Sequence, residues 1–100
     1  MASGAKSPRV VPLVGTGADM IVDSVGFKPR VIDVLNVDTG DRLEWRETMA
    51  DDSAVKTLAS NGVNSVVTTD GITPRDAGFA LGADSDVNAA GKAIVAVCWE

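Results

Sequence analysis

Apolar and polar residues alternate along much of this chain with the period of a β-strand. Between residues 26 and 45, a β-branched run over residues 30–37 leads into the turn residues Asp38 to Asp41. Leu43 and Trp45 then alternate with charged residues, which is typical of a strand with one solvated face. This stretch predicts a β-hairpin.

Other segments of the chain show the same combination of short β-branched or aromatic runs and flanking turn residues. These strand candidates are residues 9–14, 19–25, 54–58, 63–69, 78–82 and 92–99. Pro12 limits the first of them to an edge strand or an extended arm. We predict an all-β fold, a β-sandwich or small jelly roll of about seven short strands with an extended N-terminal arm.

Three details of this prediction can be compared with a structure. Asp70-Gly71 is a turn signal, and Pro74 predicts a loop over residues 72–76. Residues 92–99 are apolar on both faces, which predicts a central strand. Trp45 and Trp99 are expected to anchor the core, because the chain has few other aromatic residues.

The composition fits one domain with a thin core. The chain has 100 residues, of which 45% are hydrophobic and 4% aromatic. A small core of this kind often gains stability from oligomerisation. One cysteine and no histidine exclude an internal disulfide and a structural zinc site. The longest apolar run is too short to span a membrane, and we expect no secretory leader.

The charge is distributed unevenly between the two ends of the chain. Residues 1–18 carry two basic residues and no acid, whereas residues 19–100 carry a net charge of −7. We therefore predict a flexible basic arm over residues 1–18 and a β-domain over residues 19–100. The acidic body is not expected to bind nucleic acid, and no membrane partner is expected either.

The arm also contains apolar side chains that a free segment would leave in water. We expect residues 9–14 to lie extended against another chain, by strand addition to an exposed sheet edge. The predicted partner-binding residues are Lys6, Arg9, Val10, Val11, Leu13 and Val14.

Asp38-Thr39-Gly40 matches the core of the aspartic-protease signature. A chain of this size is also about as long as a retropepsin-like protomer, which supplies one Asp to a homodimeric site. That chemistry needs two carboxylates that share a proton, and the charge of Asp41 would disturb them. The hairpin explains the same residues without catalysis, so the protease is an alternative.

Asp84, Asp86 and Asn88 have the spacing that opens a calcium-binding loop. The usual glycine and bidentate glutamate are replaced by Ala89 and Val95, so a solvated acidic loop is the default interpretation. A small calcium- or carbohydrate-binding β-module remains the second alternative.

No residue set in the sequence indicates catalysis. Cys98 alternates with apolar residues, which predicts a small buried hydrophobic side chain, and no histidine is present to activate it or a serine. We therefore predict a protein that is not an enzyme, with no catalytic residue, cofactor or metal.

Three segments of the chain together resemble small virion structural proteins of tailed bacteriophages. The first segment is residues 26–30, which precede a β-run that contains Asn36. The second is residues 78–82. The third is residues 84–91, which lead into an apolar strand that ends at Trp99. Such proteins include head decoration, or cement, proteins and tail-associated β-domains.

The resemblance implies a structural β-domain that assembles on a symmetric particle, often as a trimer at three-fold positions of a capsid. Its expected partners are further copies of itself and the major capsid protein or another virion protein. The expected location is the capsid surface of the virion, after synthesis in the host cytoplasm. The expected function is to bind and stabilise the head shell.

Overall fold

The computed structural model describes residues 8–100, which form eight antiparallel strands in a single curled sheet. The strands are β1 (Arg9–Val14), β2 (Met20–Val22), β3 (Val31–Asn36), β4 (Arg42–Arg46), β5 (Ser53–Thr57), β6 (Asn64–Arg75), β7 (Gly78–Leu81) and β8 (Ala93–Trp99). The predicted all-β class is confirmed, and its assignment as a sandwich or a jelly roll stays a prediction. No helix long and apolar enough to cross a membrane occurs within residues 8–100.

The strand order across the sheet is β1-β8-β3-β4-β5-β6-β7-β2. The first two strands of the chain therefore occupy the two opposite edges of the sheet. The last strand, β8, lies between β1 and β3 and pairs with both along its length. This arrangement confirms the central position predicted for residues 92–99.

Alternate side chains on each strand point to the inside of the curl and form one core. The buried apolar residues are Val11, Val22, Val25, Ile32, Val34, Leu43, Trp45, Ala54, Ile72, Phe79, Leu81, Val87, Ile94, Ala96 and Cys98. Small β-branched residues predominate among them, so the prediction of a thin core with few aromatic residues is confirmed.

The hairpin of β3 and β4 forms as predicted, and its turn is organised by Asn36. The Asn36 side-chain oxygen accepts hydrogen bonds from the backbone N–H groups of Asp38 and Thr39, at 2.9 and 3.2 Å. Gly40 takes a φ of +83°, which a glycine adopts without steric cost. The residue before the turn therefore caps it.

Strand β6 differs from the prediction because it continues through the expected turn and loop. The strand pairs with β5 from Asn64 to Val67 and again at Ile72, and it pairs with β7 from Ile72 onward. The intervening residues form an irregularity in which Asp70 has a φ of +56°. The Asp70-Gly71 signal therefore marks a bulge that lets one strand change partners, and Pro74 is accommodated within the strand.

Strand β7 approaches its neighbours closely, because one glycine begins the strand and another directly follows it. A Cβ atom on Gly78 would clash with the carbonyl oxygen of Val22, and one on Gly82 would clash with the backbone of Asp70. The two glycines therefore allow β2 and the β6 bulge to pack directly against this strand.

The N-terminal segment is an edge strand of the same sheet. All six residues of β1 lie opposite β8 of their own chain, from Arg9 opposite Cys98 to Val14 opposite Ala93. The sequence had predicted that another chain would supply this pairing. The difference arises because β8 is too far away in the sequence for local patterns to show the pairing. Lys6 lies outside the described residues.

Candidate functional site

The outward side of β1, β8 and β3 is apolar and partly open to solvent. Its apolar residues are Val10, Pro12 and Val14 on β1, Val31 and Leu35 on β3, and Ala93, Val95, Val97 and Trp99 on β8. We call this set the outer apolar face. Val10 and Val14 are 58% and 63% exposed, and the large indole of Trp99 is 37% exposed.

The register between the strands makes this face continuous. Val10 lies opposite Val97, and Pro12 lies opposite Val95. On the other side of β8, Leu35 lies opposite Val95 and Val31 lies opposite Trp99. Side chains directly opposite each other in an antiparallel pair are in contact range, so the residues form one surface.

Asp33 is the one charged residue that points outward from these three strands, and Arg42 neutralises it. The Arg42 guanidinium lies 2.9 Å from Asp33 and 3.3 Å from Glu44, and Glu44 lies 3.6 Å from Arg46. Two acids and two arginines thus alternate along the boundary between β3 and β4. This row of compensated charges borders the outer apolar face.

The five predicted partner-binding residues that the structure describes do not share one environment. Val10 and Val14 lie on the outer apolar face, and Arg9 is exposed at the start of β1. Val11 points inward and is only 7% exposed, and Leu13 packs against the core. Val11 and Leu13 are therefore covered by their own chain, because alternate residues of a strand point to opposite faces.

The sequence interpretation missed the exposed side of β8. It assigned both faces of residues 92–99 to the core and made Trp99 a core anchor. The structure confirms Trp45, which is 4% exposed, but leaves Trp99 partly in solvent. A sheet has two sides, and the sequence shows no amphipathic helix that could cover the outer side. That side of β8 was therefore to be expected in solvent.

The predicted calcium loop instead surrounds a lysine. Lys56 extends from the inner side of β5, and its Nζ atom lies 2.8 Å from Asp84 and 2.6 Å from Asp86. Asp84 is buried and also accepts hydrogen bonds from the backbone N–H groups of Asp86 and Val87. The default prediction of a solvated acidic loop is wrong for Asp84, which is 8% exposed and enclosed with its cation, whereas the Asp86 side chain is 46% exposed.

Asn88 is directed away from the two carboxylates and joins the loop to the β1–β2 connection. Its side-chain oxygen accepts from the Thr16 N–H at 2.9 Å, and its amide donates to the carbonyls of Ala18 and Gly82. The three residues of the calcium-like spacing therefore do not converge on one point. No group of three acidic, cysteine or histidine side chains suited to a metal is found in the described part of the chain.

Burial and charge act in opposite directions on Lys56. Burial lowers the pKa of Lys56, but the hydrogen bonds and negative charges of Asp84 and Asp86 outweigh it, so this pKa lies above its ordinary value. Lys56 therefore stays protonated at neutral pH and holds the loop of residues 83–91 against the sheet. Asn36 strengthens this attachment, because its amide donates to the carbonyl of Asp86 at 3.0 Å.

Asp38 and Cys98 are the two remaining residues that the sequence analysis considered for catalysis. Asp38 is exposed in the hairpin turn, and its carboxylate accepts a long hydrogen bond of 3.4 Å from the Ala93 N–H. Cys98 is fully buried in the core, which confirms its predicted role as a small hydrophobic residue. Burial raises the pKa of the Cys98 thiol to about 11, so the thiolate is scarce at neutral pH.

Comparison with known proteins gave no match to a family model, to a curated protein or to a solved structure. The outer apolar face and the fold are therefore the observations from which a function can be argued.

Proposed function

We propose that this protein is a non-enzymatic structural protein of a tailed bacteriophage virion. Within that class, we propose that it is a decoration, or cement, protein that binds and stabilises the head shell. The observation that carries the proposal is the outer apolar face, and the resemblance noted in the sequence directs it to virions.

An apolar face of this kind supports a role in assembly. The largest contiguous apolar patch on a typical soluble protein covers about 300 to 600 Å² and is often functional. In this chain the patch is borne by three paired strands on the outer side of the curled sheet and ends at a tryptophan, a residue type enriched in interfaces. A surface borne by hydrogen-bonded strands also suits binding, because its backbone is already ordered when the partner arrives.

The hydrogen bonds and ion pairs of the buried polar residues also support a structural role. Lys56, Asp84, Asn36 and Asn88 connect strands and loops within the fold. The protein would work by presenting a stable surface, with further copies of itself and the major capsid protein as partners. The trimer that the resemblance implies stays a prediction.

Reconstitution on phage heads tests this proposal. Particles are prepared from a phage that encodes this chain and from a derivative with the reading frame deleted, and the tail-free heads are purified. We expect purified protein to cosediment with the deleted heads and to raise the temperature at which they release DNA. Purified tails incubated with the same protein serve as the control.

Two results would contradict the proposal. Heads from the deleted phage could have the same composition and thermal stability as heads from the parent phage. Alternatively, the added protein could fail to bind heads at both low and high salt concentration. If the protein binds to tails alone, it is a tail protein and the proposed location on the head is wrong.

A further inference from the structure

We propose that the outer apolar face is a homotypic interface, on which a second copy of this chain packs face to face about a two-fold axis. The inference rests on the proposed function and deepens it, because it assigns the outer apolar face to contact between copies and leaves contact with the head shell to other surfaces of the molecule. It is argued from the edges of the sheet, the charge of the face, its symmetry and its size.

The terminal edges of the sheet are poorly suited to pairing with another chain. At one edge, Pro12 lies in the middle of β1 and has no N–H group to donate to an added strand. At the other edge, β2 has three residues and is flanked by Asp19 and Asp23. Short strands, prolines and charges are the means by which proteins block edge pairing. Association through a face of the sheet is therefore favoured.

The charge distribution favours a second copy on this particular face. Residues 19–100 carry a net charge of −7, so most approaches of two copies bring like charges together. On the outer apolar face, the one outward charge is Asp33, which is already paired with Arg42 at 2.9 Å. Two such faces can meet without leaving a charge unpaired. The other strongly exposed large apolar side chains, at Ile21, Val37, Val63 and Val66, do not belong to this face.

The symmetry of the dimer follows because each copy uses the same surface, the outer apolar face, in the contact. A patch that binds the same patch on another copy makes an isologous contact, which closes as a two-fold dimer. A three-fold ring needs two different patches that complement each other. The outer apolar face by itself therefore gives a dimer and not the trimer that the resemblance implies.

The size of the face sets the expected strength of the dimer. Three strands of up to seven residues cover about 14 Å by 23 Å, at the usual strand spacing and rise. A footprint of roughly 300 Å² is well below the ~800 Å² per partner of a standard stable interface. We therefore expect a weak dimer that dissociates at low micromolar concentration and forms where copies are crowded.

Sedimentation equilibrium from micromolar to millimolar concentration tests the inference in the absence of any particle. We expect the average mass to rise from 10.3 kDa toward twice that value. Trp99 should be covered in the dimer while Trp45 is already buried, so the fluorescence emission should shift to shorter wavelength over the same concentration range.

Two matched variants locate the interface. Val10 on the outer apolar face and Val66 on β6 are both valines at outward strand positions, 58% and 68% exposed. V10D should raise the dimer dissociation constant by about tenfold or more, because a charge then faces the apolar surface of the second copy. V66D adds the same charge outside the face and should leave the constant unchanged. Circular dichroism checks that both variants are folded.

The inference fails if the mass stays at 10.3 kDa up to millimolar concentration, if the product is a trimer, or if V10D and V66D have equal effects. These outcomes are separate from the test on phage heads. A chain that binds heads but never self-associates would overturn this inference and leave the proposed function standing. A chain that dimerises but does not bind heads would do the reverse.

Discussion

Lys56 shows how one charged side chain can hold a loop on the concave side of a sheet. It lies on the inner side of β5, where its side chain is 16% exposed, and it reaches Asp84 and Asp86 in the loop before β8. An ion pair of this kind is costly to break, because removal of one partner leaves the other charge enclosed without compensation. Its contribution can therefore be measured by substitution.

We predict that K56M lowers the free energy of unfolding by about 1 to 3 kcal/mol, somewhat less than for a fully buried pair. Arg75, which pairs with Asp23 on the open surface, provides the control, and R75M should have little effect because solvent screens that pair. Urea unfolding of both variants measures the difference. Equal effects of the two substitutions would show that the enclosure of Lys56 is unimportant.

The same pair should make stability depend on alkaline pH. The pKa of Lys56 is raised in the folded state, so its contribution is complete below the pKa of an unfolded lysine, about 10.4. The contribution is lost as the pH rises through the higher folded-state pKa. The difference in stability between the wild type and K56M should therefore be constant around neutral pH and shrink above about pH 10.

The close contact between Gly78 and the Val22 carbonyl leads to a second prediction about a single residue. A Cβ atom at this position would collide with the Val22 carbonyl, so we expect G78A to separate β7 from β2 and to cost about 1 to 3 kcal/mol. Gly62 is the control, since it has a φ of +67° with no atom near the added Cβ, and asparagine tolerates this conformation. Thermal unfolding should distinguish G78A from G62N, and similar melting temperatures would contradict the prediction.

At the scale of elements, local signals identified strands better than they identified strand partners. The hairpin of β3 and β4 was predictable because its turn and both strands lie within a short stretch of sequence. The β6 bulge was not, because Asp70-Gly71 looks the same in a tight turn and in an irregular strand. The pairing of β1 with β8 joins residues near opposite ends of the chain, and no local pattern records it.

The assignment of β1 to the sheet reverses one expectation drawn from the sequence. The sequence predicted an arm over residues 1–18 that is separate from the β-domain, so deletion of residues 2–14 would have left that domain intact. In the structure, that deletion removes Val11 from the core and leaves one side of β8 unpaired. We now expect a loss of at least about 1.5 to 3 kcal/mol, the value of burying one such side chain.

Two truncations measure this loss. Deletion of residues 2–8 leaves β1 complete and should preserve the urea unfolding midpoint, whereas deletion of residues 2–14 should lower it or prevent folding. If both truncated proteins unfold at the midpoint of the full chain, β1 contributes nothing to the stability of the sheet.

At the scale of the whole molecule, the sequence indicated the class of fold and the inner side of the sheet. Residues such as Ile32, Leu43 and Trp45 were recognisable because alternation marks one buried face. The outer apolar face was not recognised, because β8 is apolar on both sides and a single sequence does not show which side another layer covers. The outer apolar face could therefore be identified only once the strand order was known.

That strand order also has a consequence for how the protein is made. The ribosome produces β8 after all the other described strands, yet β8 belongs between β1 and β3, which emerge early. Until it arrives, one edge of β3 remains open, and the apolar surface proposed for dimerisation does not exist. Synthesis of β8 therefore both joins β1 to β3 and completes the surface, so the proposed dimer cannot form on a nascent chain that still lacks β8.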